Sequence, residues 1–140
     1  MSAEVPKLFQ DLITAWESHH PAAVTALFTD DCMYEDVALG AINRGKAELE
    51  AFTSEVFATF PDFKLEYKAG FVADGWASWE WVMSGTHQGN SPGLPATGKP
   101  FSVRGASILE LHEGKIRRNS DYWDMATFLR QVGLMAEQPG

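Results

Sequence analysis

Val5, Leu8, Phe9, Leu12 and Trp16 recur at helical spacing, so residues 4–18 are expected to form an amphipathic helix. His20-Pro21 then supplies an N-cap position followed by proline in the first helical turn. A second helix carrying Val24, Leu27 and Phe28 is expected to end near Thr29-Asp30. The stretch CMYEDVAL (residues 32–39) is expected to be a short strand running into a loop at Gly40. Gly45-Lys46 opens a third helix with Leu49, Phe52, Val56, Phe57 and Phe60 on one face, and Pro61 ends it.

The second half changes period. Phe63, Leu65, Tyr67 and Ala69 alternate with Lys64, Glu66 and Lys68, the pattern of a strand with one wet face. Asp74-Gly75 is a hairpin signal, leading into the long strand WASWEWVMSGTHQG (76–89). SPGLPATGKP (91–100) has the composition of a loop, FSVRGASILELH (101–112) of a strand, Glu113-Gly114 of a turn and KIRRNSDYW (115–123) of the last strand. A short amphipathic helix closes the pattern, with Asp124 placed to cap it. Helices gathered on one side of a curved antiparallel sheet give an α+β layout in one domain, residues 1–140, shaped as a cone that can hold a ligand at its open end.

Composition narrows the function. A net charge of −8 lacks the basic face that nucleic acid or an anionic membrane surface requires. The single cysteine, Cys32, leaves no intrachain disulfide and suits a reducing interior. The first residues lack the basic-then-apolar order of a signal peptide, and no run reaches the ~20 apolar residues of a membrane span, so a soluble cytoplasmic protein is expected. Five Trp, nine Phe and three Tyr fill a core or line an apolar pocket.

The chemistry is expected near the chain's end, where Asp121 and Asp124 stand three residues apart. Capping occupies Asp124, whereas Asp121 has no evident structural duty. Strand alternation puts Asp121 on one face with Asn119 and Trp123. A carboxylate beside Trp in an apolar cone is desolvated, which raises its pKa towards that of a general base; the bland alternative is a carboxylate paired with Arg104, Arg117 or Arg118. Tyr34 and Asp36 share a face of the first strand with Cys32. His87 lies in step with Trp79, Trp81, Met83 and Gly85, and it could act as a switchable donor or relay at the cone mouth or simply bond to backbone there. Trp16, Trp79, Trp81, Met83, Val103, Ser107, Leu109, Asn119 and Trp123 are expected to line the substrate site. Gly89-Asn90-Ser91-Pro92-Gly93 fits the Gly-x-Ser-x-Gly string, but Pro92-Gly93-Leu94-Pro95 cannot start the helix of a nucleophile elbow, so this loop is expected to cover the pocket mouth. His19, His20 and His112 show no metal-ligand spacing, and no phosphate loop exists, so no metal or cofactor is expected.

Four stretches together carry a resemblance: Tyr34–Gly40 with Gly45-Lys46, Gly85-Thr86-His87-Gln88-Gly89, Gly93–Lys99 with its Gly-x-Pro-x-Thr loop, and Gly114–Gly133 with its Asp-x-x-Asp and Leu-Arg-Gln-x-Gly ending. In their order and spacing the chain resembles the nuclear-transport-factor-2-like (NTF2-like) superfamily and, within it, the SnoaL-like polyketide cyclases. The resemblance implies an α+β cone with one apolar cavity for a small hydrophobic, polycyclic carbonyl compound, and a homodimer. It implies a cofactor-free intramolecular aldol condensation with Asp121 as the acid/base, and Tyr34, Asp36, Asn119 and His87 as candidates to polarise the carbonyl. The cyclase pattern has a histidine where this chain has Ser107, whose hydroxyl can donate a hydrogen bond but cannot take up a proton near neutral pH. The alternatives are a non-catalytic binder of the same fold, a protein-binding adaptor, or a related isomerase or epoxide hydrolase. The steroid isomerases of the superfamily carry a tyrosine on the first helix, absent here, and the hydrolases an Arg-x-Asp pair, also absent.

Overall fold

The computed structural model describes residues 4–90 and 95–136. The elements run α1 (Lys7–Glu17), α2 (Pro21–Thr25), β1 (Phe28–Asp36), β2 (Ala41–Arg44), α3 (Gly45–Thr59), β3 (Lys64–Ala73), β4 (Trp76–Thr86), β5 (Pro100–His112), β6 (Lys115–Trp123) and α4 (Met125–Gln131). Six strands form a single sheet in the order β2-β1-β6-β5-β4-β3. The α+β expectation holds, with two local differences. The second helix stops at Thr25 and Phe28 already belongs to β1, while β2 was not foreseen, because its four residues are too few to show a period.

A further difference matters for the site. The sheet is antiparallel from β3 to β6 and between β1 and β2, but β1 runs parallel to β6. That pairing sets Tyr34 opposite Asn119 and Asp36 opposite Asp121. It continues past β1 through the backbone N–H of Val37, which donates to the Asp121 carbonyl at 2.9 Å.

Alternation along the strands decides which side chains face the helices. Trp79 and Trp81 are buried while Glu80 between them is exposed, and Phe101, Val103, Ser107 and Leu109 are buried on β5. The β3–β4 hairpin turns at Asp74-Gly75 with φ of 52° and 79°, the left-handed pair that matches strand twist. Helix α1 lies across β3 and β4, where the Phe9 ring stacks on Trp79 with centroids 4.9 Å apart. Gly70 permits that stack, since a Cβ there would meet the Phe9 ring at 2.9 Å and Trp79 Cβ at 2.7 Å. The core extends through Trp16, Val24, Phe28, Leu49, Phe57 and Ile116, and a smaller cluster of Phe101, Val103, Phe128 and Val132 sits under α4. Asp124 caps α4 as expected, accepting from the Thr127 backbone N–H at 3.0 Å. No helix among the described residues is long and apolar enough to cross a membrane.

Candidate active site

Between the concave sheet face and helices α1 and α3 lies a cavity of about 360 Å³, a size that suits a small organic ligand. The sheet contributes Tyr34 and Asp36 from β1, Trp79, Trp81 and Met83 from β4, Ser107 from β5, and Asn119, Asp121 and Trp123 from β6. Trp16 joins them from α1. All these residues were expected at the site, and the fold brings them together because inward parity on adjacent strands coincides.

Asp121 is the centre of the arrangement. Its residue is 8% exposed, and its carboxylate receives three side-chain donors. Ser107 Oγ donates to Oδ1 at 2.5 Å and Asn119 Nδ2 donates to the same oxygen at 2.7 Å. The Tyr34 hydroxyl donates to Oδ2. None of Arg104, Arg117 and Arg118 forms an ion pair with it; Arg117 instead pairs with Glu110 at 2.7 Å on the exposed face. Burial disfavours the charged carboxylate and pushes the Asp121 pKa up to about 6, against the opposing pull of the donors from Ser107, Tyr34 and Asn119. Nearby Asp36 adds to the rise by charge repulsion.

The neighbours are tuned by the same environment. Asp36 accepts from Trp123 Nε1 at 2.9 Å and from the Leu39 backbone N–H at 2.9 Å. Burial raises its carboxyl pKa, and those donors moderate the rise. Burial, followed by the Asp121 charge, drives the Tyr34 phenol well above its ordinary value, so Tyr34 stays neutral and remains a donor. Trp81 Nε1 donates to Ser107 Oγ at 2.8 Å. The Ser107 hydroxyl is thus both acceptor and donor.

Three expected site residues stand elsewhere. His87 shares the inward parity of Trp79, Trp81 and Met83, but β4 ends at Thr86 and the chain turns beneath the end of α3. Its backbone N–H donates to the Lys99 carbonyl at 3.0 Å, and its wholly buried ring lies against Phe60 and Phe128, behind the cavity wall. Neither ring nitrogen has a hydrogen-bond partner among the described residues, so a relay to Asp121 is not formed. Val103 packs under α4 with Phe101, Phe128 and Val132, and Leu109 is sealed in the main core. Both have the inward parity, but helices or neighbouring core cover the sheet on either side of Ser107. Cys32, which shares the parity of Tyr34, is likewise buried in the core, where burial raises its thiol pKa.

Part of the wall was missed in the sequence. Phe52, Glu55, Val56, Thr59 and Phe60 line the cavity from α3 and the residue after it, and Leu12 from α1. The spacing of Phe52, Val56 and Phe60 marks a helical face; what no spacing shows is that this face meets a void instead of a filled core. Of the loop that begins at Gly89, residues 91–94 lie outside the described residues, and so does the expectation that they cover the mouth. Among the described residues, no group of three or more His, Cys, Asp or Glu is arranged to hold a metal ion.

Comparison with known proteins gives three kinds of match. A family model described as SnoaL-like polyketide cyclase matches residues 7–132. The aklanonic acid methyl ester cyclase DauD of Streptomyces sp. (strain C5) is 34% identical over 89 residues, 60% of this chain and 55% of that one. The aklanonic acid methyl ester cyclase DnrD of Streptomyces peucetius is 36% identical over 58 residues, 41% of this chain and 40% of that one. These matches span about half the length of each relative. A crystal structure from Catenulispora acidiphila, a hypothetical protein with ketosteroid isomerase-like fold in complex with trimethylamine, superposes with a TM-score of 0.85 at 24% identity, covering 98% of this chain and 100% of that one. The architecture is therefore the NTF2-like, ketosteroid isomerase-like α+β cone.

Proposed function

This chain belongs to the SnoaL-like polyketide cyclase family, and from that premise we propose that it catalyses a cofactor-independent intramolecular aldol ring closure on a small hydrophobic carbonyl compound. Asp121 acts as the base. Its carboxylate takes a proton from the carbon α to a carbonyl, leaving an enolate. The enolate carbon attacks a second carbonyl of the same molecule, forming the new C–C bond. The resulting alkoxide takes the proton back from Asp121, which restores the carboxylate. Tyr34, held neutral, and Asn119 are the donors available to the enolate oxygen.

The observation that carries this reading is the Asp121 carboxylate, buried in an aromatic cavity under three side-chain donors, with burial pushing its pKa up to about 6. Such a group is ionised at neutral pH yet basic enough to accept a proton in the transition state. Turnover of a panel of aromatic polyketide ketoesters by the wild type and by Asp121→Asn tests it. A loss of ~10²-fold or more in the folded variant is expected for removal of a general base. Equal turnover by both would sink the assignment.

Ser107 favours a second reading. Its hydroxyl holds Asp121 but takes up no proton near neutral pH, so the same cavity could hold a hydrophobic ligand without converting it. Tight binding of the ketoesters with no turnover by the wild type would favour that function.

We also propose a homodimer in the cytoplasm. The convex sheet face carries exposed Ile42, Phe71, Trp76, Ile108 and Tyr122. Strand registers align Ile42, Glu35, Ser120, Ile108, Ser78 and Phe71 in one row across all six strands, a broad face suited to a second copy. Sedimentation at micromolar concentration is expected to give twice the chain mass, and Phe71→Glu with Ile108→Glu to give the monomer.

A further inference from the structure

The donors around Asp121 differ in what they can do when the carboxylate gains a proton. Asn119 Nδ2 reaches Oδ1 and can only donate. Ser107 Oγ also reaches Oδ1, and a hydroxyl could in principle turn round and accept. In this chain it is prevented from doing so freely. The Trp81 indole N–H, which can only donate, fills a lone pair of Ser107 Oγ, and the Ser107 proton has Asp121 Oδ1 as its acceptor. A proton on Oδ1 would oppose the Asn119 N–H and leave the Ser107 proton buried without a partner, a costly arrangement. Oδ2 faces only the Tyr34 hydroxyl, which can accept as readily as donate.

We infer that Trp81, acting through Ser107, is a positioning residue that keeps Asp121 Oδ1 a hydrogen-bond acceptor and leaves Oδ2, beside Tyr34, as the oxygen that takes up and returns the proton. Proton uptake on Oδ2 has a second effect. It turns Tyr34 from donor to acceptor towards Asp121, so the Tyr34 proton swings into the cavity just as negative charge appears on the substrate oxygen. Base and oxyanion donor are thereby coupled through one hydroxyl rotation. The geometry that permits this rests on Gly105. Trp81 pairs opposite Gly105, and a Cβ at that position would come within 2.3 Å of the indole ring, so only a glycine lets the ring lie where its N–H meets Ser107.

The ionisable groups facing Asp121 are few. Tyr34 and Asp36 approach from β1 and Glu55 lines the far wall on α3, while β4 and β5 place Trp79, Trp81, Met83 and Ser107 on the cavity, none of them charged. The inference deepens the proposed function, since it takes Asp121 as the base. Its test needs no substrate, so it can fail or stand apart from that function. In the labelled protein, the Asp121 side-chain carboxyl carbon and the Trp81 indole N–H are followed by NMR from pH 4 to 9. In the wild type the indole resonance is expected to titrate with the Asp121 midpoint, about 6. In Ser107→Ala the Asp121 midpoint is expected to rise by about one to two pH units, as for a lost hydrogen bond to a charge, and the indole to stop following it. Trp81→Phe is expected to raise the midpoint by about 0.2–0.5 pH units, the size of a cooperative contribution, and to add nothing in a Ser107→Ala background. An indole that ignores the Asp121 titration in the wild type overturns the inference. So does a Trp81→Phe effect of equal size with and without the Ser107 hydroxyl, because the indole would then act through burial alone. If Trp81→Phe does not fold, the wild-type and Ser107→Ala titrations decide the matter.

Discussion

Asp121→Asn should change how the stability of this protein depends on pH, and the size follows from the site. The Asp121 pKa rises from 3.8 to about 6 on folding because burial disfavours the charge. Below about pH 4 the carboxyl is protonated in both folded and unfolded chains, and it carries no ionisation penalty. Between about pH 4 and 6 the folded protein holds a proton that the unfolded chain has released, so stability falls as pH rises. Above pH 6 the full penalty persists, worth about 3 kcal/mol at 1.36 kcal/mol per pH unit. An amide at this position carries no such penalty. Its oxygen can accept from Ser107 and Asn119 while its NH2 donates to Tyr34, whose hydroxyl can turn to accept. Urea unfolding of both proteins at several pH values gives the difference in unfolding free energy. That difference is expected to move in favour of Asp121→Asn by about 2.5 kcal/mol between pH 4, where about 0.5 kcal/mol of the penalty is already present, and pH 8, whatever offset the amide itself introduces. A difference that stays flat to within about 0.5 kcal/mol across that range would refute a buried, pKa-raised carboxylate. On the predicted outcome the variant gains stability relative to the wild type as the pH rises to neutrality while it loses activity, the trade-off expected where a site holds a destabilising group for function.

Asp124→Ala removes the cap of α4 without touching the cavity, so it should lower stability by about 1 kcal/mol in a denaturation experiment and leave the turnover per folded molecule unchanged. His87→Phe replaces a buried ring whose nitrogens have no hydrogen-bond partner among the described residues, and it should retain wild-type kcat and KM; a loss of ~10²-fold would return His87 to the catalytic machinery. Tyr34→Phe removes the donor at Asp121 Oδ2, and kcat should fall with KM little changed, as for an interaction made chiefly in the transition state.

Much of this site was legible because strand alternation is a strong signal. Trp79, Trp81 and Met83, like Asn119, Asp121 and Trp123, share a face whatever the tertiary context, and the Asp-x-x-Asp spacing separated the capping residue, Asp124, from the one that reaches the cavity, Asp121. Pairing across long sequence separations was not legible. No local pattern shows that β1 runs parallel to β6, yet that register brings Tyr34 within reach of Asp121 and Asp36 within reach of Trp123. Parity also fails to say where a face stops lining a void. Val103, Leu109 and His87 all point inward, and each meets helix or core instead of the cavity, because the sheet is longer than the space it encloses. The role of Ser107 shows a different limit. Parity places the Ser107 hydroxyl on the cavity face, but the indole that donates to it arrives diagonally from β4, through the space left by Gly105.

The central claim is that Asp121 removes a proton α to a carbonyl, and α-deuterium exchange tests it most directly. A cavity-sized aromatic ketoester deuterated at that carbon is incubated with the protein, and loss of label is followed by proton NMR across pH 5 to 8. The account predicts catalysed exchange that rises through about pH 6 as Asp121 ionises and falls by ~10²-fold or more in Asp121→Asn. Exchange at the same rate in wild type and variant would contradict it.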